Sequence, residues 1–148
     1  METRLADIRD IPHIAALRME MLKEVAEHLP PALPKAIEQY LYAHIPDGSC
    51  MCVLMEEDGQ AVAKAMACMA VSVPDENNLS GRYAILASVY TRPQYRGQGR
   101  MTCLLKELLR RTKEQGACEV YAAPEKKAIP MYRRLGFERV DDQMIIKL

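Results

Sequence analysis

Tryptophan is absent from this chain and phenylalanine occurs once in 148 residues. A core built on large aromatic anchors is therefore excluded. Ten methionines are present instead, and their flexible thioethers fill irregular gaps or suit a surface that adapts to a ligand. Neither charge is in excess. Twenty basic and twenty acidic residues cancel, so no global field recruits nucleic acid or an anionic membrane, and any affinity for an anion must be local. No apolar run is long enough to cross a bilayer, and Met1-Glu2-Thr3-Arg4 lacks the basic-then-apolar pattern of a secretion signal, so a cytoplasmic protein is expected. The five cysteines (Cys50, Cys52, Cys68, Cys103 and Cys118) are odd in number and lie in segments that read as strand or helix, without zinc-site spacing. They are expected to be reduced and packed, with no metal site. The length fits one domain over residues 1–148.

Periodicity organises the chain as follows. Residues 4–6 suit a short strand. Asp7 or Asp10 then caps a helix whose apolar positions include Ile11, Ile14, Leu17, Met21 and Val25, and which should stop near Leu29 because Pro30 and Pro31 cannot continue it. A second helix is predicted over residues 34–45, followed by a turn at Pro46-Asp47-Gly48. Residues 50–55 and 61–71 read as antiparallel strands joined by a hairpin at Asp58-Gly59. A loop over residues 73–82 leads to a strand over residues 83–91. Beyond Gly99, Met101, Leu104, Leu105, Leu108 and Leu109 mark an amphipathic helix ending near Gly116. A strand at 119–123, a helix at 128–135 and a terminal strand at 143–148 complete the reading.

One junction carries chemistry. Val89-Tyr90-Thr91-Arg92-Pro93-Gln94-Tyr95-Arg96-Gly97-Gln98-Gly99-Arg100 takes a strand through a glycine-rich turn straight into a helix. Backbone N–H groups at a helix N-terminus lack intrahelical acceptors and sit at the positive end of the helix dipole, so the junction is an anion cradle. Gly97 and Gly99 permit positive φ and close approach of a ligand. A dinucleotide fingerprint is excluded because its third glycine is missing, and a phosphate loop because no Gly-Lys-Ser/Thr follows.

The spacing Gln94-x-x-Gly97-x-Gly99 resembles the acetyl-CoA pyrophosphate signature of the GNAT acetyltransferase superfamily. So does Ala128-Ile129-Pro130-Met131-Tyr132-Arg133-Arg134-Leu135-Gly136-Phe137, which is similar to that family's later A-x-x-x-Y-x-x-x-G-F motif. The resemblance implies an α/β fold with a mixed, mostly antiparallel central sheet flanked by helices, and splayed parallel strands that hold the cofactor. It implies acetyl-CoA as cosubstrate, with its pyrophosphate on backbone amides of Arg96, Gly97, Gln98, Gly99, Arg100 and Met101. It also implies a pantetheine arm along Val89, Tyr90 and Thr91, with Val89 N–H as donor to the thioester oxygen. Tyr132 matches the family's general acid for the departing thiolate and touches the cofactor; its bland alternative is packing.

The base is not legible. Where related enzymes carry a glutamate, this strand reads Tyr83-Ala84-Ile85-Leu86-Ala87-Ser88. Ser88, holding a water, and Glu20 or Glu24 from the first helix are the alternatives. Glu125 stands where many relatives have asparagine, and Lys126 and Lys127 beside it read as a solvated face or as contacts to the CoA 3′-phosphate. His13, His28 and His44 form no triad pattern, and Cys103, flanked by apolar periodic residues, reads as packing. The expectation is an N-acetyltransferase acting on a primary amine of a small molecule, attracted by Glu20, Glu24, Glu27, Glu38 and Asp75. The alternatives are a non-catalytic CoA-binding sensor and a protein N-terminal or lysine acetyltransferase. Nucleic acid and membrane are not expected as partners, and a terminal strand able to pair across a two-fold axis suggests a homodimer.

Overall fold

A computed structural model describes residues 2–140 and 143–148. Its sheet has the order β1-β2-β3-β4-β5, formed by β1 (Thr3–Leu5), β2 (Cys50–Glu57), β3 (Gln60–Val71), β4 (Arg82–Thr91) and β5 (Glu119–Tyr121). The first four strands are antiparallel neighbours, and β5 joins β4 in parallel. The hairpin between β2 and β3 turns on Asp58 at φ 50° and Gly59 at φ 74°, the pair of positive angles that matches a two-residue connection to strand twist.

Strand alternation sends side chains to opposite faces, and here both faces are buried. Met51, Val53, Met55, Ala63, Ala65 and Ala67 pack beneath α3 (Arg100–Glu114) through Leu104, Leu105 and Leu108. Cys50, Cys52, Leu54 and Met66 pack with Ile11 and Ile14 of α1 (Ile11–Val25) and Leu41 of α2 (Leu33–His44). The methionine-filled core is thus realised. Asp7 caps a 3₁₀ turn before α1, and Asp10 accepts from the Asp7 N–H at 2.8 Å and from the Arg4 guanidinium at 2.7 and 2.8 Å, tying β1 to α1. All five cysteines are free, with Cys118 at the surface rather than packed.

Two expected boundaries change. α1 ends at Val25 rather than near Leu29: Ala26 is already extended, at φ −137° and ψ 134°, and Val25 is itself exposed, so the helix stops where it no longer has a face to bury. The predicted terminal strand over 143–148 is not formed. A strand exists only as a paired element, and among the described residues this segment has no ladder partner; Met144, Ile145, Ile146 and Leu148 lie exposed. The segment 128–135 divides into a 3₁₀ turn over Lys126–Ala128 and α4 (Ile129–Arg134).

The feature that makes room for a ligand is a bulge. Met66 faces Ser88 across the ladder but Ala67 faces Leu86, so Ala87 is the extra residue. β5 pairs with β4 only over Tyr83, Ala84 and Ile85, and from the bulge onward β4 runs on beside an open gap.

Candidate active site

Between the free half of β4, the N-terminus of α3 and α4 lies a cleft of about 790 Å³. Its walls carry the expected catalytic and cofactor-binding residues other than Gln98, from Ser88 and Val89 through Gly97, Gly99 and Arg100 to Tyr132. A second hollow of about 500 Å³, between the loop after β3 and β5, is lined by Asp75 but by none of the expected catalytic or cofactor-binding residues.

At one end is the cradle. Gly97 and Gly99 take φ 75° and 72°, and a Cβ at either would meet no atom within 4 Å, so glycine is required by backbone angle rather than by space. The Cys103 N–H donates to Gly99 O at 3.2 Å, so the amides from Gly99 to Thr102 precede the first turn's bonds and have no helix carbonyl to reach. The side chains around the cradle are occupied. Arg96 donates to Thr91 O at 2.8 Å and to Glu24 at 2.8 and 3.0 Å, and lies 5.5 Å over the Tyr90 ring. Arg100 is buried, pairs with Glu57 at 2.5 Å, donates to Gln98 Oε1 at 2.9 Å and covers the Tyr95 ring at 5.3 Å. These guanidinium groups brace the turn against α1 and the end of β2, so the free donors at the cradle are backbone amides.

Along the gap, the backbone is polarised by register. The Arg92 N–H donates to Val62 O at 3.0 Å, towards β3; alternation therefore turns Tyr90 to β3 as well, and points the N–H and C=O of Val89 and Thr91 into the gap. Thr91 Oγ1 is buried without a hydrogen-bond partner among the described residues. An orphaned hydroxyl, gap-facing amides and a helix N-terminus along one cleft fit a long, polar, anionic ligand such as CoA. Tyr90 itself points to α1, where its hydroxyl donates to Glu24 at 2.7 Å.

Tyr132 is buried on α4 with its ring edge-on to Phe137, centroids 5.2 Å apart. The Phe137 N–H donates to Tyr132 O at 3.1 Å, which folds the aromatic pair together. Burial pushes the Tyr132 phenol up, so it remains a proton donor at neutral pH.

The carboxylates proposed as bases are committed elsewhere. Glu20 is held by Arg92 at 2.9 Å, and Glu24 by Arg96, which together with the Tyr90 hydroxyl keeps its carboxyl below the usual range. Asp75 accepts the N–H groups of Asn77 and Asn78. Of the acidic residues expected to attract an amine, Glu20 and Glu24 are thus neutralised by arginine. His44 bonds Ser49 at 2.7 Å and stacks on Tyr40 at the end of α2, His13 and His28 are exposed, and Lys127 pairs loosely with Glu125 at 3.4 Å. Cys103 packs against the α3 side of the core.

Sequence reasoning missed Lys64. It lies on β3, fully buried, and its Nζ donates to Ser88 Oγ. The signal was present as a single charge inside the apolar strand Ala61-Val62-Ala63-Lys64-Ala65-Met66-Ala67.

Among curated proteins no sequence matches this chain. Solved structures do. A predicted acetyltransferase from Clostridium acetobutylicum, solved with acetyl-CoA, superposes with a TM-score of 0.90 at 24% identity, covering 99% of this chain and 95% of that one. A GCN5-related N-acetyltransferase from Ralstonia eutropha JMP134 gives 0.84 at 20% identity, with 99% and 97% covered. The aminoglycoside N-acetyltransferase AAC(6')-Iy, in complex with the bisubstrate analogue CoA-S-monomethyl-acetylneamine, gives 0.77 at 17% identity, with 99% and 97% covered. Among the described residues no helix is long and apolar enough to cross a membrane. The model of the Acetyltransferase (GNAT) family matches residues 13–137, spanning the helices, the bulged strand, the cradle and Tyr132, and the chain therefore belongs to the GNAT acetyltransferase family.

Proposed function

We propose that residues 1–148 act as a single N-acetyltransferase domain that moves the acetyl group of acetyl-CoA directly to a primary amine of a small molecule, in the cytoplasm. One observation carries this reading: the open half of β4, the amides at the start of α3 and the Tyr132 phenol line one cleft. Acetyl-CoA supplies the activated acetyl thioester. The amides from Arg96 to Met101 hold its pyrophosphate, Gln98 and Arg100 shape the turn, and Val89 and Thr91 pair with its pantetheine arm. Val89 N–H points to the thioester oxygen and stabilises negative charge developing there. Tyr132 protonates the departing thiolate. The small-molecule preference draws support from the structural likeness to AAC(6')-Iy, whose bound analogue joins CoA to an aminoglycoside fragment.

The test is thiol release from acetyl-CoA across a panel of aliphatic diamines, aminoglycosides and lysine-terminated peptides. Amine-dependent release with the small amines is expected. Release only with peptides would move the acceptor to protein. Tight CoA binding without turnover on any amine would make the chain a sensor.

A further inference from the structure

Lys64 is inaccessible to solvent, and among the described residues no carboxylate is ion-paired or hydrogen-bonded to its Nζ. A buried ammonium without a counter-ion is expensive, and the neutral amine is the form such a site favours. The groups facing it do not reverse this. β2 presents the thiols of Cys50 and Cys52, α1 presents the Arg18 guanidinium, and β4 presents Ser88 and Tyr90, the latter turned to Glu24. Arg18 donates to the bulge carbonyl of Ala87 at 3.3 Å and adds positive charge against Lys64. Desolvation, opposed by Cys52 and Cys50 and reinforced by Arg18, pushes the Lys64 ammonium down to about 8.

The one hydrogen bond of Nζ among the described residues leads to the cleft. Ser88 Oγ accepts from Lys64, lies 3.7 Å from Met21 Sδ, and lines the cleft beside Val89. We propose that Lys64, acting through the Ser88 hydroxyl, is the proton acceptor for the attacking amine, an inference that rests on the amine-acetylating reading above. When Lys64 is protonated, Nζ donates to Ser88 Oγ and the serine hydrogen turns to Met21 Sδ. When Lys64 is neutral, its lone pair accepts the serine hydrogen, and Ser88 Oγ is freed to take a proton from the cleft.

A substrate ammonium loses two protons on becoming an amide. The first passes to Ser88 as the serine proton passes to Lys64 Nζ, leaving a free amine. Its lone pair forms the N–C bond to the acetyl carbonyl carbon and the C–S bond breaks, with the thiolate protonated by Tyr132. The second nitrogen proton restores Tyr132. Lys64 returns its proton through Ser88 to solvent once product has left. Lys64 thus positions and charges the relay, and Ser88 is the group that touches substrate.

Two readouts test this in the whole protein with acetyl-CoA and the most active amine of the panel. In the first, lysine labelled at Cε is titrated by NMR with CoA bound, and Lys64 is recognised as the signal shielded from a soluble paramagnetic agent. A midpoint near 8 is expected; titration together with the surface lysines overturns the proposal. In the second, kcat/KM is followed against pH for wild type, Ser88→Ala, Lys64→Met and Lys64→Arg. Wild type should rise through the Lys64 midpoint, and Lys64→Met and Ser88→Ala should lose that limb and about 100-fold in rate at its plateau. Lys64→Arg should not rescue, because a guanidinium stays protonated. An unchanged limb in a folded Lys64→Met sinks the proposal while leaving the transferase reading intact, whereas a wild type inert on every amine sinks both. Should Lys64→Met fail to fold, the wild-type titration and Ser88→Ala decide.

Discussion

Tyr132 and Lys64 are opposite uses of burial. Taking a phenol out of water raises its affinity for the proton and keeps it an acid, while taking an ammonium out of water lowers that affinity and makes it a base. Tyr132→Phe keeps the ring packed on Phe137 and removes only the hydroxyl. It should lower kcat about 100-fold while leaving the Kd for CoA within about twofold, as stopped-flow thiol release and calorimetry would read. A parallel loss of CoA affinity would assign the hydroxyl to cofactor binding instead. Tyr132 was legible because a ten-residue motif carries it. Lys64 was not, because its importance comes from the register that sets β3 against the bulge in β4, and a bulge leaves no mark in residue types.

The element that matters most is the junction of β4 with α3. Its strand, turn and helix were readable from alternation, glycine and apolar spacing, and they stand within a residue or so of the predicted positions. The roles of the arginines were not readable, since a guanidinium beside a phosphate cradle looks like a ligand group until its partners on α1 and β2 are known. Gly99 sits at φ 72°. Gly99→Ala should destabilise the protein by about 1 kcal/mol, from the left-handed strain, and weaken CoA binding more than it changes kcat. Thermal denaturation with and without CoA separates the two effects; equal shifts under both conditions would mean that the turn does not form the phosphate site. The terminal segment 143–148 marks the limit of periodicity. Its apolar residues suit a strand, but a strand needs a ladder partner, and alternation cannot supply one.

At the scale of the molecule, two apolar layers sandwich a sheet that contains one buried amine. Lys64 is held with its proton affinity below that of an unfolded lysine, so between about pH 8 and 10.5 the unfolded chain binds more protons and stability rises with pH. Above that window the group costs nothing through its charge. Below pH 8 the full penalty applies, about 3 kcal/mol from the size of the shift. Lys64→Met should therefore melt higher than wild type at pH 7, and the gap should shrink as pH rises through the window; calorimetry at several pH values reads this directly. A lower melting temperature at pH 7 would mean that the Lys64 contact to Ser88 outweighs desolvation. The fold was legible at this scale because strand pairs and helix stripes are local patterns. The acceptor was not, because a fold does not dictate its substrate, and the acidic residues Glu20 and Glu24 that suggested a cation are paired with Arg92 and Arg96.

The central claim is transfer of acetyl from CoA to an amine nitrogen in the β4 cleft. Its most direct test is mass spectrometry of the acceptor, coupled to thiol release, after incubation with acetyl-CoA and each amine of the panel. The account predicts stoichiometric CoA release and one acetyl group on a primary amine, both abolished by Ser88→Ala with Tyr132→Phe. Saturable CoA binding with no acetylated product from any amine would contradict it.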